Sequence, residues 1–490
     1  MLYIPKCLSD IPEELSKDYT VTVNGEECFV HSCRVSAIPF NTIWPGHQRP
    51  KDQTELASFI SFYSDEAVTL KVKCARSFKK AVVRPLSKRV GVAVNGEEVS
   101  FTLTQNGGYT LELDDQHFAL HIFFNAPKEY KEKEKATYYF GPGVHMPLLI
   151  NLKDNDSVYV DPEAIVYTTV YADGAKNVRI YGGGILDNSC QERVSRACTG
   201  NCPIGNIRMY NSENIIIEDV ILRDSALWIL SLFDCNNVII DGVNLIGHWR
   251  YNADGIDLTN TSNAVVKNCF VRSFDDGVVI KAIHNHDLNE NIKVDNCVFW
   301  CDWGKTLEIG LETSADEYKN ITFTNCDCIH NCGAAMAVSN GHYANIHYIH
   351  YENINVEYQI SNMPMVYQAT EDMIYDGYGK TDMADLLRID NFKMSSYDIY
   401  KDTKYANEKD KNYGKSHDIT YKNIQVFTDE GMDPIKINIG SYSDIATVEN
   451  VSIEDVYING ERAESLDEFR MVRLENIKNV TLNGMELKGQ

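Results

Sequence analysis

Three aspartates at a repeat-like spacing are the residues of this sequence that could do chemistry together. Asp254 lies in the segment Tyr251–Asp257 (YNADGID), and the pair Asp275 and Asp276 follows it about one sequence repeat later. Carboxylates gathered on one surface repel each other, and this repulsion raises the pKa of at least one of them. A protonated carboxyl group beside ionised ones can protonate the leaving oxygen of a glycosidic bond while a base activates water. The three side chains therefore predict an acid–base site of the kind that cleaves glycosides.

The backbone has to bend at these acids for such a site to form. Neighbouring residues of a flat strand point to opposite faces, so Asp275 and Asp276 can cooperate only where the chain turns. Gly255 and Gly277 directly follow the acids, and glycine inside a strand pattern is typical of such bends.

A short phrase that recurs along the chain predicts the elements that hold these acids. It consists of an Asn or Asp, an alternating strand of about four residues, and a polar residue followed by Asn, Asp or Gly. It begins at Asn177, Asn214, Asn237, Asn263, Asn291, Asn320, Asn345, Asp418, Asn450 and Asn479. The intervals are 37, 23, 26, 28, 29, 25, 73, 32 and 29 residues, which is typical of a parallel β-helix. Because residues one coil apart lie above one another, Asp254 should stack beside Asp275 and Asp276.

Turn and core residues support the same fold. Asn and Cys occupy two consecutive positions in three successive coils, at Asn268–Cys269, Asn296–Cys297 and Asn325–Cys326. The asparagines predict an amide ladder in a tight turn, and the cysteines predict a stacked column of free thiols in the core. The spacing within Cys326–Cys332 matches no standard zinc pattern, so we expect no metal and no cofactor.

The N-terminal part of the chain, residues 1–135, lacks the repeat and predicts a separate domain. Short alternating segments with Asn-Gly turns at Asn24–Gly25 and Asn95–Gly96 are typical of an antiparallel β-sandwich. The sequence thus predicts an all-β chain, with a β-sandwich over residues 1–135 and a β-helix catalytic domain over residues 136–490. The first coil, which begins at Tyr138, is expected to need a cap.

An insertion at about 356–416 accounts for the 73-residue interval. It is rich in tyrosine, which suits the wall of a sugar-binding groove. A contact between subunits or a loop that packs against the other domain remains an equal alternative.

The charge balance narrows the classes of partner. The chain of 490 residues has 46 Lys+Arg against 70 Asp+Glu, which gives a net charge of −24. A polyanion would be repelled, which argues against nucleic acid and anionic membranes as partners and mildly disfavours polyuronate substrates. The N-terminus shows no signal-peptide pattern and no window is long and apolar enough to span a membrane, so we expect a cytoplasmic protein.

The motifs around the acids resemble two related families of glycoside hydrolases. Asn252-Ala-Asp254-Gly255 followed by Asp275-Asp276 resembles the polygalacturonase family. A β-sandwich before the β-helix, and the run Asp275–Lys281 (DDGVVIK), are more similar to the dextranase and isopullulanase family. The resemblance implies a right-handed parallel β-helix. It also implies that Asp275 is the general acid, with Asp254 and Asp276 as bases for an inverting attack by water.

Two departures from the polygalacturonase pattern bear on the substrate. The Gly-His-Gly of that family is replaced by Asp302–Lys305 (DWGK), and its Arg-Ile-Lys has no clear counterpart in Met336–His342. We therefore expect a neutral oligo- or polysaccharide rather than a galacturonate polymer. A cytoplasmic location favours imported oligosaccharides among these.

Other side chains near the acids are candidates for binding the sugar. The set is His248, Arg250, Asn252, Lys281, His284, Trp303, Glu308, Glu312 and His342. Trp is a natural platform for a sugar ring, and Arg250 and Lys281 could hold hydroxyls or keep Asp276 ionised. Strand alternation predicts that Leu307, Ile309 and Leu311 are buried and that Glu308 and Glu312 point outward.

Alternative functions remain open at this point. A β-helix fructan transferase would use carboxylates in the same groove and release a cyclic disaccharide. A pectin hydrolase of the polygalacturonase type and a non-catalytic carbohydrate-binding solenoid are the other two. A β-helix lyase is disfavoured, because no basic cluster suited to proton abstraction from a uronate is evident.

Overall fold

The computed structural model describes residues 1–36, 54–193, 201–359, 384–392 and 414–488. Its N-terminal strands are β1 (Tyr19–Val23), β2 (Glu26–Cys28), β3 (His31–Ser36), β4 (Thr54–Tyr63), β5 (Val68–Cys74), β6 (Ala81–Arg84), β7 (Val92–Asn95), β8 (Glu98–Leu103), β9 (Gly107–Leu113) and β10 (Asp115–Asn125). They form two five-stranded sheets, in the orders β2-β1-β5-β8-β7 and β3-β4-β10-β9-β6. Alternate residues of strands such as β5 are buried between the sheets, as the period of two predicts.

The remaining strands of the described residues form one 29-stranded sheet that winds from Tyr138 to Glu486. They are β11 (Tyr138–Phe140), β12 (Gly143–Leu152), β13 (Ser157–Val160), β14 (Ala164–Asp173), β15 (Lys176–Gly182), β16 (Ile185–Asp187), β17 (Ile207–Tyr210), β18 (Glu213–Glu218), β19 (Ile221–Arg223), β20 (Leu230–Phe233), β21 (Asn236–Asp241), β22 (Asn244–Ile246), β23 (Ile256–Thr259), β24 (Ser262–Lys267), β25 (Phe270–Ser273), β26 (Val278–Asp295), β27 (Val298–Cys301), β28 (Lys305–Thr324), β29 (Asp327–His330), β30 (Ala334–Asn340), β31 (Asn345–Tyr358), β32 (Asp385–Asn391), β33 (Lys415–Thr428), β34 (Ile435–Ser441), β35 (Val448–Ile458), β36 (Glu461–Arg462), β37 (Phe469–Glu475), β38 (Ile477–Leu482) and β39 (Met485–Glu486). Short 3-10 helices cover Pro12–Glu14, Leu86–Lys88, Lys133–Lys135 and Leu466–Glu468. The predicted all-β fold with a parallel β-helix is confirmed.

Parallel pairing between successive coils creates the interior of the β-helix. Along one wall, five apolar residues in register are fully buried: Ile256, Val278, Leu307, Met336 and Leu387. Each coil covers the apolar edge of the coil before it, so the core is continuous along the solenoid.

The turn asparagines form the ladders that the repeat predicts. Asn296 donates to the Asn268 side chain over 2.8 Å, and Asn291 donates to Asn263 over 2.9 Å. These residues have positive φ angles near 55°, a conformation that asparagine tolerates better than other residues with a Cβ. The third predicted rung differs, because Asn325 donates to Asp295 rather than to Asn296.

The cysteine column lies in the core as predicted. The Cys297 Sγ accepts from the backbone N–H of Cys269, and Cys269, Cys297 and Cys326 are all buried. Every described cysteine is a free thiol. The column therefore contributes packing rather than cross-links.

The interval predicted to be an insertion, 356–416, contains part of the β-helix itself. Tyr358 ends strand β31 and is buried, and β32 pairs in parallel with β30 and β34. The repeat phrase marks the wall that contains β31 and β33, whereas β32 lies in another wall, where it pairs with β30 and β34. Most of the tyrosines noted in the insertion lie outside the described residues.

The β-sandwich packs against the β-helix through its second sheet. Phe59 and Phe123 from that sheet belong to one apolar cluster with Ile246, Phe270 and Trp300 on an outer wall of the β-helix, and the rings of Phe123 and Phe270 lie 5.3 Å apart. This cluster is separate from the interior core of either domain, so it fixes the two parts to each other. None of the helices among the described residues is long and apolar enough to cross a membrane.

Candidate active site

The three aspartates lie at bends on an outer wall of the β-helix. Asp275 and Asp276 lie between β25 and β26, and Asp254 directly precedes β23. Since Ile256 pairs with Val278, Asp254 and Asp276 occupy the same position in adjacent coils, as their spacing in the sequence predicts. All three side chains are buried, with 2, 7 and 9% exposed.

Glycines allow the coils to approach at this point. A Cβ at Gly255 would lie 2.2 Å from the carbonyl oxygen of Gly277, and one at Gly277 would lie 2.6 Å from that of Thr306. A Cβ at Gly304 would lie 2.5 Å from Asp275 Oδ1. Any side chain at these positions would therefore push the acid-bearing bends apart.

Lys281 lies at the centre of the acids. Its Nζ donates to Asp254 Oδ2 over 2.7 Å and to Asp257 Oδ1 over 3.0 Å, and it lies 3.9 Å from Asp276 Oδ2. Although burial disfavours its charge, Asp254 and Asp257 raise the pKa of Lys281 well above its ordinary value. The ammonium group therefore stays charged and holds neighbouring carboxylates in place.

The largest effect of a neighbouring charge on the pKa has opposite signs at Asp254 and Asp275. Burial raises the pKa of both carboxyl groups well above the ordinary value. At Asp254 the ammonium of Lys281 opposes this rise, whereas at Asp275 the neighbouring Asp276 adds to it. Asp254 thus has a direct contact with an ammonium group at 2.7 Å, whereas the largest charge effect on Asp275 is repulsion by a neighbouring carboxylate.

A second lysine, Lys305, contacts both Asp276 and Glu308. The backbone N–H of Lys305 donates to Asp276 Oδ1 over 2.9 Å, and the Lys305 ammonium lies 2.5 Å from Glu308. Burial and the charge of Asp276 raise the pKa of Glu308 to about 7. Glu308 is thus a fourth carboxyl group near the predicted three.

Glu308 is more buried than its predicted outward orientation suggests. Its side chain is fully buried, whereas Leu311, which was expected to be buried, is only half-buried. The residue lies on the outer face of its strand as the alternation predicts, but Lys305 covers it. Alternation predicts the face of a strand and not whether other side chains cover that face.

Asn252 links Asp275 to an arginine that the sequence did not indicate. The Asn252 amide donates to Asp275 Oδ2 over 3.2 Å and accepts from Arg193 Nη2 over 2.9 Å. Arg193 also donates to the carbonyl of Tyr251 and lies over its ring. Asn252 is therefore held in position by a buried cation 59 residues upstream.

Aromatic side chains lie on both sides of the acids. Trp303 stacks on Phe274 at 5.6 Å between ring centres and lies 5.6 Å from the ring of Tyr251. On the other side, the Lys281 ammonium lies 4.0 Å from the centre of the Trp228 ring. Trp303 is partly exposed and can offer a sugar-stacking surface, whereas Trp228 is buried.

The other predicted binding residues divide into three groups. His248 accepts from the backbone N–H of Ser225, and Arg250 forms an ion pair with Asp224, so both contact the preceding coil. Glu312 and His342 lie further along the wall. Burial lowers the pKa of His342, and the negative charge of Glu312 opposes this shift. The side chain of His284 lies outside the described residues.

Four residues near the acids were not predicted as site residues: Asp257, Arg193, Trp228 and Lys305. Asp257 alone carried a recognisable signal, because it is a second acid that follows Asp254 within the same short segment. Arg193 and Trp228 come from other coils, and no spacing in the sequence points to them.

These features define a parallel β-helix with a buried carboxyl site on its outer wall. Residues 149–373, which include all three aspartates, match the family described as Glycosyl hydrolases family 28. The resemblance to β-helix glycoside hydrolases that the motifs indicated is thereby confirmed.

Similar proteins and structures agree with this match. A polygalacturonase of Gossypium barbadense is 24% identical over 189 residues, which cover 31% of this chain and 45% of that protein. An exopolygalacturonase of Oenothera organensis is 26% identical over 148 residues, which cover 29% of this chain and 38% of that protein. The chain thus spans less than half the length of these relatives.

The solved structure of Dex49A from Penicillium minioluteum superposes with a TM-score of 0.61 at 13% identity. The match covers 96% of both chains. At this identity the likeness concerns the fold alone, and it extends over both the β-sandwich and the β-helix.

Proposed function

We propose that the protein is a glycoside hydrolase in which Asp275 is the general acid and Asp254 and Asp276 activate water. The observation that carries the proposal is the cluster of buried acids around Lys281. Within it, repulsion by Asp276 favours a protonated Asp275, and the contact with the Lys281 ammonium favours an ionised Asp254. This is the division of roles that glycoside cleavage requires.

The reaction follows from these positions. Asp275 gives its proton to the leaving oxygen, and the Asn252 amide fixes the carboxyl group that does so. Asp254 and Asp276 accept the proton of the attacking water, and Lys281 with the Lys305 N–H stabilises them as anions. Inversion of the anomeric carbon is the outcome expected for attack by a water that these bases activate.

A neutral oligo- or polysaccharide is the proposed substrate. The net charge of −24 repels polyuronates, and the family's Gly-His-Gly and Arg-Ile-Lys are not evident in this sequence. Trp303 supplies an uncharged stacking surface next to the acids. The proposed cytoplasmic location stays a prediction that cell fractionation tests.

Hydrolysis of a galacturonate polymer is the second candidate. The named relatives favour it, and Arg388 lies two coils beyond Glu308 in the same column of the wall. Arg388 is, however, paired with Asp385 at 2.7 Å, which neutralises much of its charge. We therefore rank this substrate below a neutral glycan.

Product analysis distinguishes these candidates. Purified protein is incubated with isomalto-, malto-, galacturono- and fructo-oligosaccharides, and products are followed by mass spectrometry and early-time NMR. We expect an inverted product from a neutral substrate, and a loss of about 10²–10⁴-fold in kcat for Asp275→Asn. The matched control is Asp241→Asn, which changes an aspartate that accepts from the turn residue Asn268 and should keep the parent rate.

Other outcomes would assign a different function. A cyclic disaccharide without a new reducing end would identify a fructan transferase. Turnover of galacturono-oligosaccharides alone would establish the second candidate. Binding without turnover, unchanged in Asp275→Asn, would contradict the hydrolase and indicate a carbohydrate-binding solenoid.

A further inference from the structure

We propose that Asp257 is a positioning residue that acts through Lys281 on Asp254 and Asp276. This inference rests on the proposed hydrolase function and adds a fourth aspartate to its three. Asp257 lies in β23 with no exposed surface, and its Oδ1 accepts from Lys281 Nζ over 3.0 Å. Its Oδ2 has no hydrogen-bond partner within the described part of the chain.

The column of outward-facing residues explains why Asp257 reaches the site. Asp257 pairs with Val279 in the next coil, and Val279 pairs with Glu308 in the coil after that. Thr259, further along β23 on the same face, pairs with Lys281 itself. Asp257 therefore lies on the same wall as the acids, directly beside the strand that carries the lysine.

Lys281 needs more than one anchor to hold both bases. Its side chain is a flexible chain of methylene groups, and fixing it in one position costs conformational entropy. Asp254 at 2.7 Å and the Trp228 ring at 4.0 Å contact it together with Asp257. Without Asp257 the ammonium would be free to move toward Asp254 and away from its position 3.9 Å from Asp276.

The charge balance of the site gives Asp257 an electrostatic effect as well. Five buried carboxyl groups surround two ammonium groups: Asp254, Asp257, Asp275, Asp276 and Glu308 against Lys281 and Lys305. The charged groups that act on Asp257 are Lys281, Asp276 and Arg208. Asp254 also forms an ion pair with Lys281. A negative charge at Asp257 opposes ionisation of Asp254, so its removal should lower the pKa of Asp254.

The test is the substitution Asp257→Asn, which keeps the shape of the side chain and removes its charge. We expect kcat to fall on the order of 10²-fold with KM nearly unchanged, because Lys281 no longer aligns the two bases. The acidic limb of the pH–rate profile should move to lower pH, because Asp254 ionises more easily. A parent-like kcat and profile would overturn the proposal.

A double-mutant cycle separates action through Lys281 from an independent role. Lys281→Met removes the ammonium group, so adding Asp257→Asn to it should cause no further loss of kcat. Additive losses in the double variant would contradict the proposal. The control is Asp187→Asn, which breaks a buried pair with Arg223 at 2.5 Å and should lower stability without changing kcat or the pH profile.

Two further readouts keep the test decisive. If Asp257→Asn does not fold, Asp257→Glu retains the charge but displaces the carboxylate, and we expect a lower kcat with the parent's acidic limb. Carboxyl ¹³C NMR titration of Asp-labelled protein needs no substrate. In Asp257→Asn the titration midpoint of Asp254 should fall, and an unchanged midpoint would refute the inference. An inactive parent with a shifted midpoint would contradict only the hydrolase function.

Discussion

Glu308 shows how one buried carboxyl group adds a pH dependence to the whole molecule. Burial and Asp276 raise its pKa to about 7, well above the value near 4.5 of an unfolded glutamate. The folded protein therefore binds more protons than the unfolded chain between these two pH values. Stability from this group is fully present below about pH 4.5 and is lost as the pH rises through 7.

The substitution Glu308→Gln should remove this dependence. Relative to the parent, the variant gains on the order of 3 kcal/mol in free energy of unfolding between pH 4.5 and pH 8. Denaturant unfolding followed at both pH values measures the difference. A constant difference between variant and parent across this range would show that Glu308 is ionised throughout.

The site residues that the sequence predicted are those whose positions depend only on coil length. Asp254 and Asp276 are separated by one coil, and parallel pairing converts that interval into adjacency. Arg193 and Trp228 come from other coils. The positions of their side chains depend on packing between coils, which local sequence patterns do not encode. Asp257 is intermediate. Its position in the sequence could be recognised, but its contact with the flexible side chain of Lys281 could not.

The asparagine ladder shows how a side chain stabilises an element through its backbone. Asn291 has φ 57°, donates to Asn263 and accepts from Asn320. The recurrence of Asn at this turn is the signal from which the β-helix could be predicted. The signal marks one wall of the β-helix and does not extend to the wall in which β32 pairs with β30 and β34.

Two substitutions at Asn291 separate the bonds from the backbone conformation. Asn291→Gly loses two hydrogen bonds but tolerates positive φ, so it should cost about 1–2 kcal/mol. Asn291→Ala adds the strain of a left-handed alanine, about 1–2 kcal/mol more. Chemical denaturation measures both, and equal costs for Ala and Gly would exclude backbone strain as a factor. Activity should stay at the parent level, because the side-chain hydrogen bonds of Asn291 are made to the turn residues Asn263 and Asn320.

At the scale of the molecule, buried ion pairs join the β-sandwich to the β-helix. Arg84 on β6 contacts Glu112 on β9 at 2.7 Å and also Glu357 on β31. His330 on β29 contacts the other oxygen of Glu112. These partners come from distant parts of the chain, so composition and repeats gave no sign of them. The network lies beside the aromatic contact and makes the two domains one structural unit.

The substitution Arg84→Met should therefore destabilise both domains together. It leaves Glu112 and Glu357 as buried carboxylates without their arginine, which costs about 3–5 kcal/mol. Differential scanning calorimetry should show one cooperative transition in the parent and one at lower temperature in the variant. The triple variant Arg84→Met/Glu112→Gln/Glu357→Gln removes the uncompensated charges and should recover most of the loss. Two separate transitions in the parent, or no recovery in the triple variant, would contradict the coupling, because buried charge would then not be what joins the domains.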